Sequence, residues 1–362
     1  MDDLIYTFSA IRGIQAGREY YVVMCPFKLI PKIFLFNEEE ISPELRAQRV
    51  INKARIPEIA QYIVSNPDEY CFSAITASVD GNVEFKPFSK DEIGRNVGRL
   101  SVEMSSTFII NDGQHRRAAI EDALKNNPAL GVEKISVVLF IDKGLRRCQQ
   151  MFADLNKHAI RPSRSLGVLF DHRDHLADLS RKVMSDVHVF KDMIELEKTS
   201  ISNRSRKLFT LNCLYNANRS LLNKKKKINN ISKSEEAICV EYWSHVSEHF
   251  SDWHDVKNRK LNPAELRRDY VHGHGVLLHA LGVVGNTLLS SHQDNWKTKL
   301  KKLRKIDWSR KNGSLWEGRA MVGGRMNASQ SNLILTSSII KQKLNVGLTA
   351  EEKELEKSFR KK

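Results

Sequence analysis

Thr107–Ala119 reads TFIINDGQHRRAA, and the reading of this stretch organises the rest of the chain. Thr107 to Ile110 is a short apolar, β-branched run, the pattern of a buried strand. Asn111, Asp112 and Gly113 interrupt it. Asp112 is a good helix N-cap, because its carboxylate can accept orphan backbone N–H groups of a first turn. From Gln114 the pattern is helical, with Ala119, Ile120, Ala123 and Leu124 on one face. A strand entering a helix through a Gly turn aims backbone N–H groups at whatever lies above the junction, and the helix dipole favours an anion there. Gln114, His115, Arg116 and Arg117 crowd that first turn, and the two arginines bring fork-shaped donors suited to phosphate. Basic residues at this end oppose the dipole, which leaves two readings. Either Gly113, Gln114, Arg116 and Arg117 form a phosphate or nucleotide site, or both arginines reach solvent or pair with acids.

Working outward, Asn126, Asn127, Pro128 and Gly131 end this helix, and Ile135–Ile141 is a strand. Strand, helix and strand form a βαβ unit, right-handed if the strands run parallel. Upstream, Tyr70–Ser78 is a strand candidate that turns through Asp80-Gly81-Asn82 into Val83–Phe88, the pattern of a hairpin. Leu100–Met104 and Tyr20–Cys25 are further strand candidates, the latter punctuated by Pro26 and Pro31. Gln48–Ser65 is amphipathic, with Val50, Ile51, Ile56, Ile59, Ala60 and Ile63 at helical spacing, Arg49 and Arg55 on the polar side, and Pro57 opening a new helical segment. Leu145–Lys157 predicts a helix with Met151, Phe152 and Leu155 inward.

Beyond Ser165 the periodicity is helical nearly throughout. Helices are expected over Leu166–Phe170, Leu176–Val189, Leu208–Leu222, Ala237–Phe250 and Val276–Leu289. The predicted architecture is an α/β domain over 1–165 followed by a mainly α-helical, basic region over 166–362. Lys224, Lys225, Lys226 and Lys227 form a run that reads as an exposed loop or a phosphate contact. Lys297, Lys299, Lys301, Lys302, Arg304 and Lys305 form a second basic stretch. Trp308 and Trp316 lie near it, a composition that suits backbone contact with stacking. Gly273, Gly275, Gly282 and Gly285, interleaved with His272, His274 and His279, read as helix packing through small residues ahead of metal binding. The tail after Thr349 is charged and reads as a helix or a frayed end.

The 362 residues carry 58 Lys and Arg against 43 Asp and Glu, a formal net charge of +15. That excess favours polyanions, double-stranded DNA first, but argues only for association. Cysteines at 25, 71, 148, 213 and 239 show neither CxxC pairing nor zinc-ligand spacing, so they read as reduced thiols. No His/Cys/Asp cluster points to a resident metal. No leader-like segment and no apolar run of membrane-spanning length stands out, so the expected location is cytoplasmic, away from membranes.

The segment DGQHR, followed by RAAIEDALKNNPALGVEKISVVLFID, resembles the DGQHR-domain proteins and their relatives in the ParB/sulfiredoxin-like superfamily. Gly113, Gln114, His115 and Arg116 fall on the ParB box, Ala118 stands where that box has a further Arg, and Ile135–Ile141 falls on the strand that follows. Within the DGQHR group the chain is most similar to the DndB family, regulators of bacterial DNA phosphorothioation (sulfur modification) clusters. That likeness runs through Gln48–Ile63, the box, FADLNKHAIRPSRSL at Phe152–Leu166 and SNRSRKLFTLNCL at Ser202–Leu214. It implies a ParB-like N-terminal domain, with Arg55 near the nucleotide site and Asn156 and His158 in the polar segment that completes it. Asn156 also suits a helix C-cap.

For function, the resemblance implies a DNA-binding transcriptional repressor of a phosphorothioation gene cluster, gated by nucleotide and acting on that cluster's promoter. The alternative is a nucleotide-hydrolysing enzyme working with the sulfur-modification or restriction machinery. The nucleotide would be ATP or CTP with Mg²⁺. Asp112 and His115 would then be the nearby groups able to move a proton, unless Asp112 is only the helix cap. Other sulfur-modification proteins and a second copy of the chain are the expected further partners.

Overall fold

The computed structural model describes residues 4–34, 52–141, 150–151, 153–155, 162–202, 205–224 and 230–359. The chain divides into two compact units, Met1–Ile160 and Arg161–Lys362.

The first unit is built on a seven-stranded mixed sheet: β1 (Ile5–Gln15), β2 (Arg18–Pro26), β3 (Ile75–Asp80), β4 (Val83–Pro87), β5 (Val97–Glu103), β6 (Thr107–Asp112) and β7 (Lys134–Ile141). Their order across the sheet is β4-β5-β1-β2-β7-β3-β6. All neighbours are antiparallel except β3 and β7. Among the described residues, α1 (Ile30–Ile33), α2 (Ile56–Ser65) and α3 (Gln114–Asn126) accompany the sheet.

This order corrects two expectations. The Asp80-Gly81-Asn82 turn does not close a hairpin, because β3 pairs with β6 and β7 while β4 pairs with β5. Strand–helix–strand over β6, α3 and β7 is not a parallel βαβ unit either: β3 lies between the two strands, antiparallel to β6 and parallel to β7. The short link has a geometric consequence. Two residues between Asp80 and Val83 reach at most about 11 Å, whereas the five strand spacings separating β3 from β4 would span about 24 Å in a flat sheet. The sheet must therefore curl until its ends approach. The Glu103 N–H donates to Asn82 O at 3.3 Å, and the rings of Tyr6 on β1 and Phe108 on β6 meet at 6.2 Å. Inside the curl lie Phe8, Ala10, Tyr21, Val23, Ile75, Ala77, Leu100, Val137 and Leu139, closed by Ile63 of α2 and Ile120 of α3.

Pro57 sits in the first turn of α2, where it opens a helical segment as its chemistry requires. Asn52 is extended (φ −71°, ψ 92°) and a 3₁₀ turn at Lys53–Arg55 leads into Ile56. Arg49, Val50, Ile51, Phe152, Asn156, His158 and Lys225–Lys227 lie outside the described residues.

The second unit is helical: α4 (Arg164–Phe170), α5 (His175–Asp186), α6 (Leu211–Leu221), α7 (Lys233–Ser247), α8 (Ser251–Lys257), α9 (Pro263–Asp269), α10 (Gly275–Ser291), α11 (Trp296–Leu300), α12 (Gly313–Trp316), α13 (Gln330–Lys343) and α14 (Ala350–Phe359). Two two-stranded pieces join them, Ile194–Glu195 with Phe209–Thr210, and the hairpin Met321–Val322 with Arg325–Met326. The starts of these helices are chemically specified. Ser163, Asp174, Thr210, Asn262 and Ser329 each accept a first-turn N–H, and Ser232 with Glu235 forms a reciprocal capping box.

α6 and α10 pack through small residues, as the glycines predicted. A Cβ on Gly282 would lie 2.2 Å from Ala217 O, and one on Gly285 would lie 2.5 Å from both Leu221 and Tyr242. Trp243, Trp253, Trp308 and Trp316 are buried, and each indole N–H has a partner: Asn218 Oδ1, His272 O, Leu303 O and Asp307 O respectively. The described part of the tail is a helix. Glu352 and Glu356 of α14 are buried against Lys341 and Arg319, pairing at 2.6 Å and through both guanidinium nitrogens.

Candidate functional site

Gly113 has φ +110°, and a Cβ there would come within 3.0 Å of Ile75 Cγ1. Only glycine makes this turn from β6 into α3 without strain. Asp112 remains in the strand, Gly113 takes the N-cap position, and no side chain caps the helix. The cap expected of Asp112 is thus not formed. Its Oδ2 instead accepts from Arg116 Nη2 at 2.7 Å, four residues on. Asn111, fully buried, donates to Ser78 Oγ at 2.8 Å and ties β6 to β3.

The first-turn side chains separate into inward and outward groups. Gln114 is buried and donates to Ile110 O at 3.0 Å. Arg117 is buried too, donating to Phe34 O at 2.9 Å and to Pro31 O at 3.3 Å, and pairing with Glu121 at 2.5 Å. It therefore pins the end of α1 to α3, and its guanidinium is committed to the interior. Both arginines pair with acids one turn away, so an unbalanced charge in the first turn is no argument for an anion. Arg116 is different in one respect. Besides Asp112 it donates to Ala74 O at 3.0 Å, and it also borders a cavity.

That cavity holds about 440 Å³. One wall is Arg55, at the N-cap of α2, with Glu58, Ile59 and Tyr62 of that helix three, four and seven residues on. The second wall is the segment Cys71, Phe72 and Ser73, and Arg116 of α3 completes the lining. Among the described residues, two guanidinium groups thus share one concave site with the Glu58 carboxylate and the Tyr62 and Phe72 rings. The rings of Tyr62, Tyr70 and Phe72 form a cluster, Tyr62 to Phe72 at 6.2 Å and Tyr70 to Phe72 at 5.8 Å. The Tyr70 hydroxyl donates to Glu133, and burial first, then that carboxylate, raises its pKa, so it stays protonated. The volume falls in the range of small-ligand sites, and the lining is mixed, with Ile59 and Phe72 beside polar and charged side chains.

Of the residues singled out from sequence, Arg55 and Arg116 meet in this cavity. Gly113 shapes the turn beneath it, while Gln114 and Arg117 face inward. His115 is half-buried, and its Nε2 accepts the Asn52 N–H at 3.2 Å. Asn156 lies outside the described residues. Sequence reading missed Glu58, Tyr62, Cys71, Phe72 and Ser73. The α2 stripe was the available signal, since Arg55, Glu58, Ile59 and Tyr62 share a face by spacing alone. Among the described residues no group of three or more His, Cys, Asp or Glu could hold a metal ion, and no helix is long and apolar enough to cross a membrane.

In the second unit the basic side chains are also partly engaged. Lys224 pairs with Glu235 at 2.7 Å. Lys297 pairs with Glu241 and lies 5.3 Å from the Trp296 ring centroid. Lys299 donates to Asn345 O at 2.7 Å, and Arg304 donates to His249 Nδ1 at 3.1 Å and Glu248 O at 3.0 Å. Lys301 and Lys305 are exposed, and Lys302 is half-buried. Burial first, then the neighbouring Arg304, partly offset by Glu248, holds His249 below the ordinary histidine pKa. The stacking role expected of Trp308 and Trp316 is contradicted. Both are buried, and their rings stack on each other at 5.3 Å, so neither offers a face to a base.

No curated protein and no solved structure matches the chain. A family model does: DndB, DNA-sulfur modification-associated, matches residues 8–347, nearly the whole sequence and both compact units. The chain belongs to the DndB family of proteins associated with DNA sulfur modification.

Proposed function

We propose that this protein is a DNA-binding repressor of the gene cluster for DNA phosphorothioate modification, and that nucleotide in the Arg55–Arg116 cavity gates its hold on DNA. The observation that carries the nucleotide half is the meeting of Arg55, from the turn that opens α2, and Arg116, from α3, in one cavity of about 440 Å³. Two fork-shaped cations beside aromatic rings suit a phosphorylated ligand with a ring system. We read the curled sheet with its strand–Gly–helix box as ParB-like, which agrees with that use. The DNA half is supported by family membership and the net charge of +15. The exposed Lys301 and Lys305, with Lys302 between them, are the described cations of the second basic stretch placed to meet phosphates.

Hydrolysis draws less support. Asp112 is tied to Arg116, and His115 spends its Nε2 lone pair on a backbone N–H, so neither stands free as a base. The partners that follow from the reading are promoter DNA and other proteins of the modification system.

The test is equilibrium binding of the full chain to the cluster's own promoter duplex and to a scrambled duplex across a salt series. A repressor holds the promoter at least about a thousandfold more tightly than the scrambled sequence, with both affinities falling steeply in salt. Equal affinity for both duplexes removes the repressor reading. Lys301→Gln/Lys302→Gln/Lys305→Gln should weaken both duplexes alike and flatten the slope by about 0.9 per lost phosphate contact. A wild-type slope in that variant places the DNA surface elsewhere.

A further inference from the structure

The cavity's two arginines are held in different ways. Arg116 is anchored directly, through Asp112 Oδ2 at 2.7 Å and Ala74 O at 3.0 Å. Arg55 sits at the end of the exposed turn Asn52–Arg55, where packing supplies little constraint. Hydrogen bonds shape that turn. Asn52 Oδ1 accepts the Ala54 N–H at 3.2 Å, and Asn52 O accepts the Arg55 N–H at 2.9 Å. Asn52 thereby sets the direction in which Arg55 leaves the backbone. Its own N–H is the link to the box helix, donating to His115 Nε2 at 3.2 Å. A backbone N–H can only donate, so Nε2 must carry its lone pair, and the ring acts here as an acceptor. His115 and Arg116 are consecutive in α3. One helix turn thus carries one arginine of the cavity and holds the turn that carries the other.

We propose that His115 is a positioning residue: by accepting the Asn52 N–H it fixes the turn that presents Arg55 across the cavity from Arg116. The proposal rests on the reading of the cavity as a phosphate-binding site. It gives the histidine of the box a role that needs no proton transfer, and it makes the contributions of His115 and Arg55 non-additive, as expected for residues acting through one arrangement.

The experiment is a double-mutant cycle on the full chain with ATP as probe, read by calorimetry, alongside amide exchange at Asn52. Arg55→Ala should weaken ATP by about tenfold or more, the scale of one charge-assisted hydrogen bond. In a His115→Leu background the same change should cost about twofold or less, because Arg55 is already unpositioned. His115→Gln, whose amide oxygen can accept the same N–H, should stay within about threefold of wild type. Asn52 amide protection should fall in His115→Leu and return in His115→Gln, a readout independent of ligand. Additive losses, or unchanged Asn52 exchange in folded His115→Leu protein, overturn the proposal. If Arg55→Ala and Arg116→Ala both bind ATP like wild type, the cavity reading itself fails and the proposal with it. That outcome is told apart by the missing single-mutant effects.

Discussion

The ion pair between Asp112 and Arg116 gives a prediction with opposite signs at its two ends. In the free protein the Arg116 guanidinium is shared between Asp112 Oδ2, at 2.7 Å, and Ala74 O, at 3.0 Å. A phosphate entering the cavity must share that guanidinium with a carboxylate whose side chain is 39% exposed. A pair so open to water is worth only about 0.5–1 kcal/mol. Asp112→Asn removes the competing charge and leaves an oxygen that can still accept from Arg116. ATP should therefore bind about two- to fivefold more tightly. Arg116→Ala loses the donor itself and should weaken ATP by about 1.5–3 kcal/mol, at least tenfold. Calorimetric titration of both variants, in Mg²⁺ and again in EDTA, separates the accounts. If Asp112→Asn weakens binding as Arg116→Ala does, and only in Mg²⁺, then Asp112 holds a metal with the phosphates and the reasoning from competition is refuted. Phosphate release should be the same in wild type and Asp112→Asn.

Two further predictions concern the second unit. Glu352→Ala strands the Lys341 ammonium, 2% exposed and paired to Glu352 at 2.6 Å, so urea unfolding should show a loss of about 3–5 kcal/mol, while Lys341→Met/Glu352→Leu should recover most of it. His274 and His279 are held neutral by burial, their pKa values lowered from 6.5 to about 4. The unfolded chain takes up protons first on acidification, so stability is full above pH 6.5 and is lost as pH falls towards 4. Thermal midpoints should follow that window, and His279→Gln should make the decline shallower; a midpoint flat from pH 7 to 4.5 would contradict it.

The box was legible because its signals are local. An apolar run, a glycine with left-handed φ and a helical face all lie within one stretch, and the structure places β6, Gly113 and α3 there. Pairing partners were not legible. Gly81 does take positive φ, as a turn glycine should, yet the strands on either side of it pair elsewhere because the sheet curls. β1 escaped notice because its two faces contrast poorly. Phe8 and Ala10 point into the core, but Ile5 and Ile11 lie exposed on the other side, and a clean alternation never appears. A further sign went unread in the Ala16-Gly17 turn, both residues at positive φ, which closes β1 onto β2. α13 is buried on several faces, so Ser337 and Ser338 sit as deep as Ile340 and no amphipathic stripe marks the helix. The tail read as a helix or a frayed end because the partners of its charges lie far off in sequence, Arg319 being 37 residues from Glu356. At the site, Arg55 and Arg116 were named, but the aromatic wall was not, since only the packing of α2 brings Tyr62 beside Phe72.

The central claim is that the cavity and DNA binding are coupled, and one titration addresses it. Promoter duplex is titrated with wild-type protein and with Arg116→Ala, each with and without saturating ATP, at fixed salt. Coupling of ordinary allosteric size changes wild-type affinity by at least about fivefold on adding ATP, in either direction, and leaves Arg116→Ala unchanged. Superimposable wild-type curves with and without ATP, or an equal ATP response in both proteins, would contradict the account.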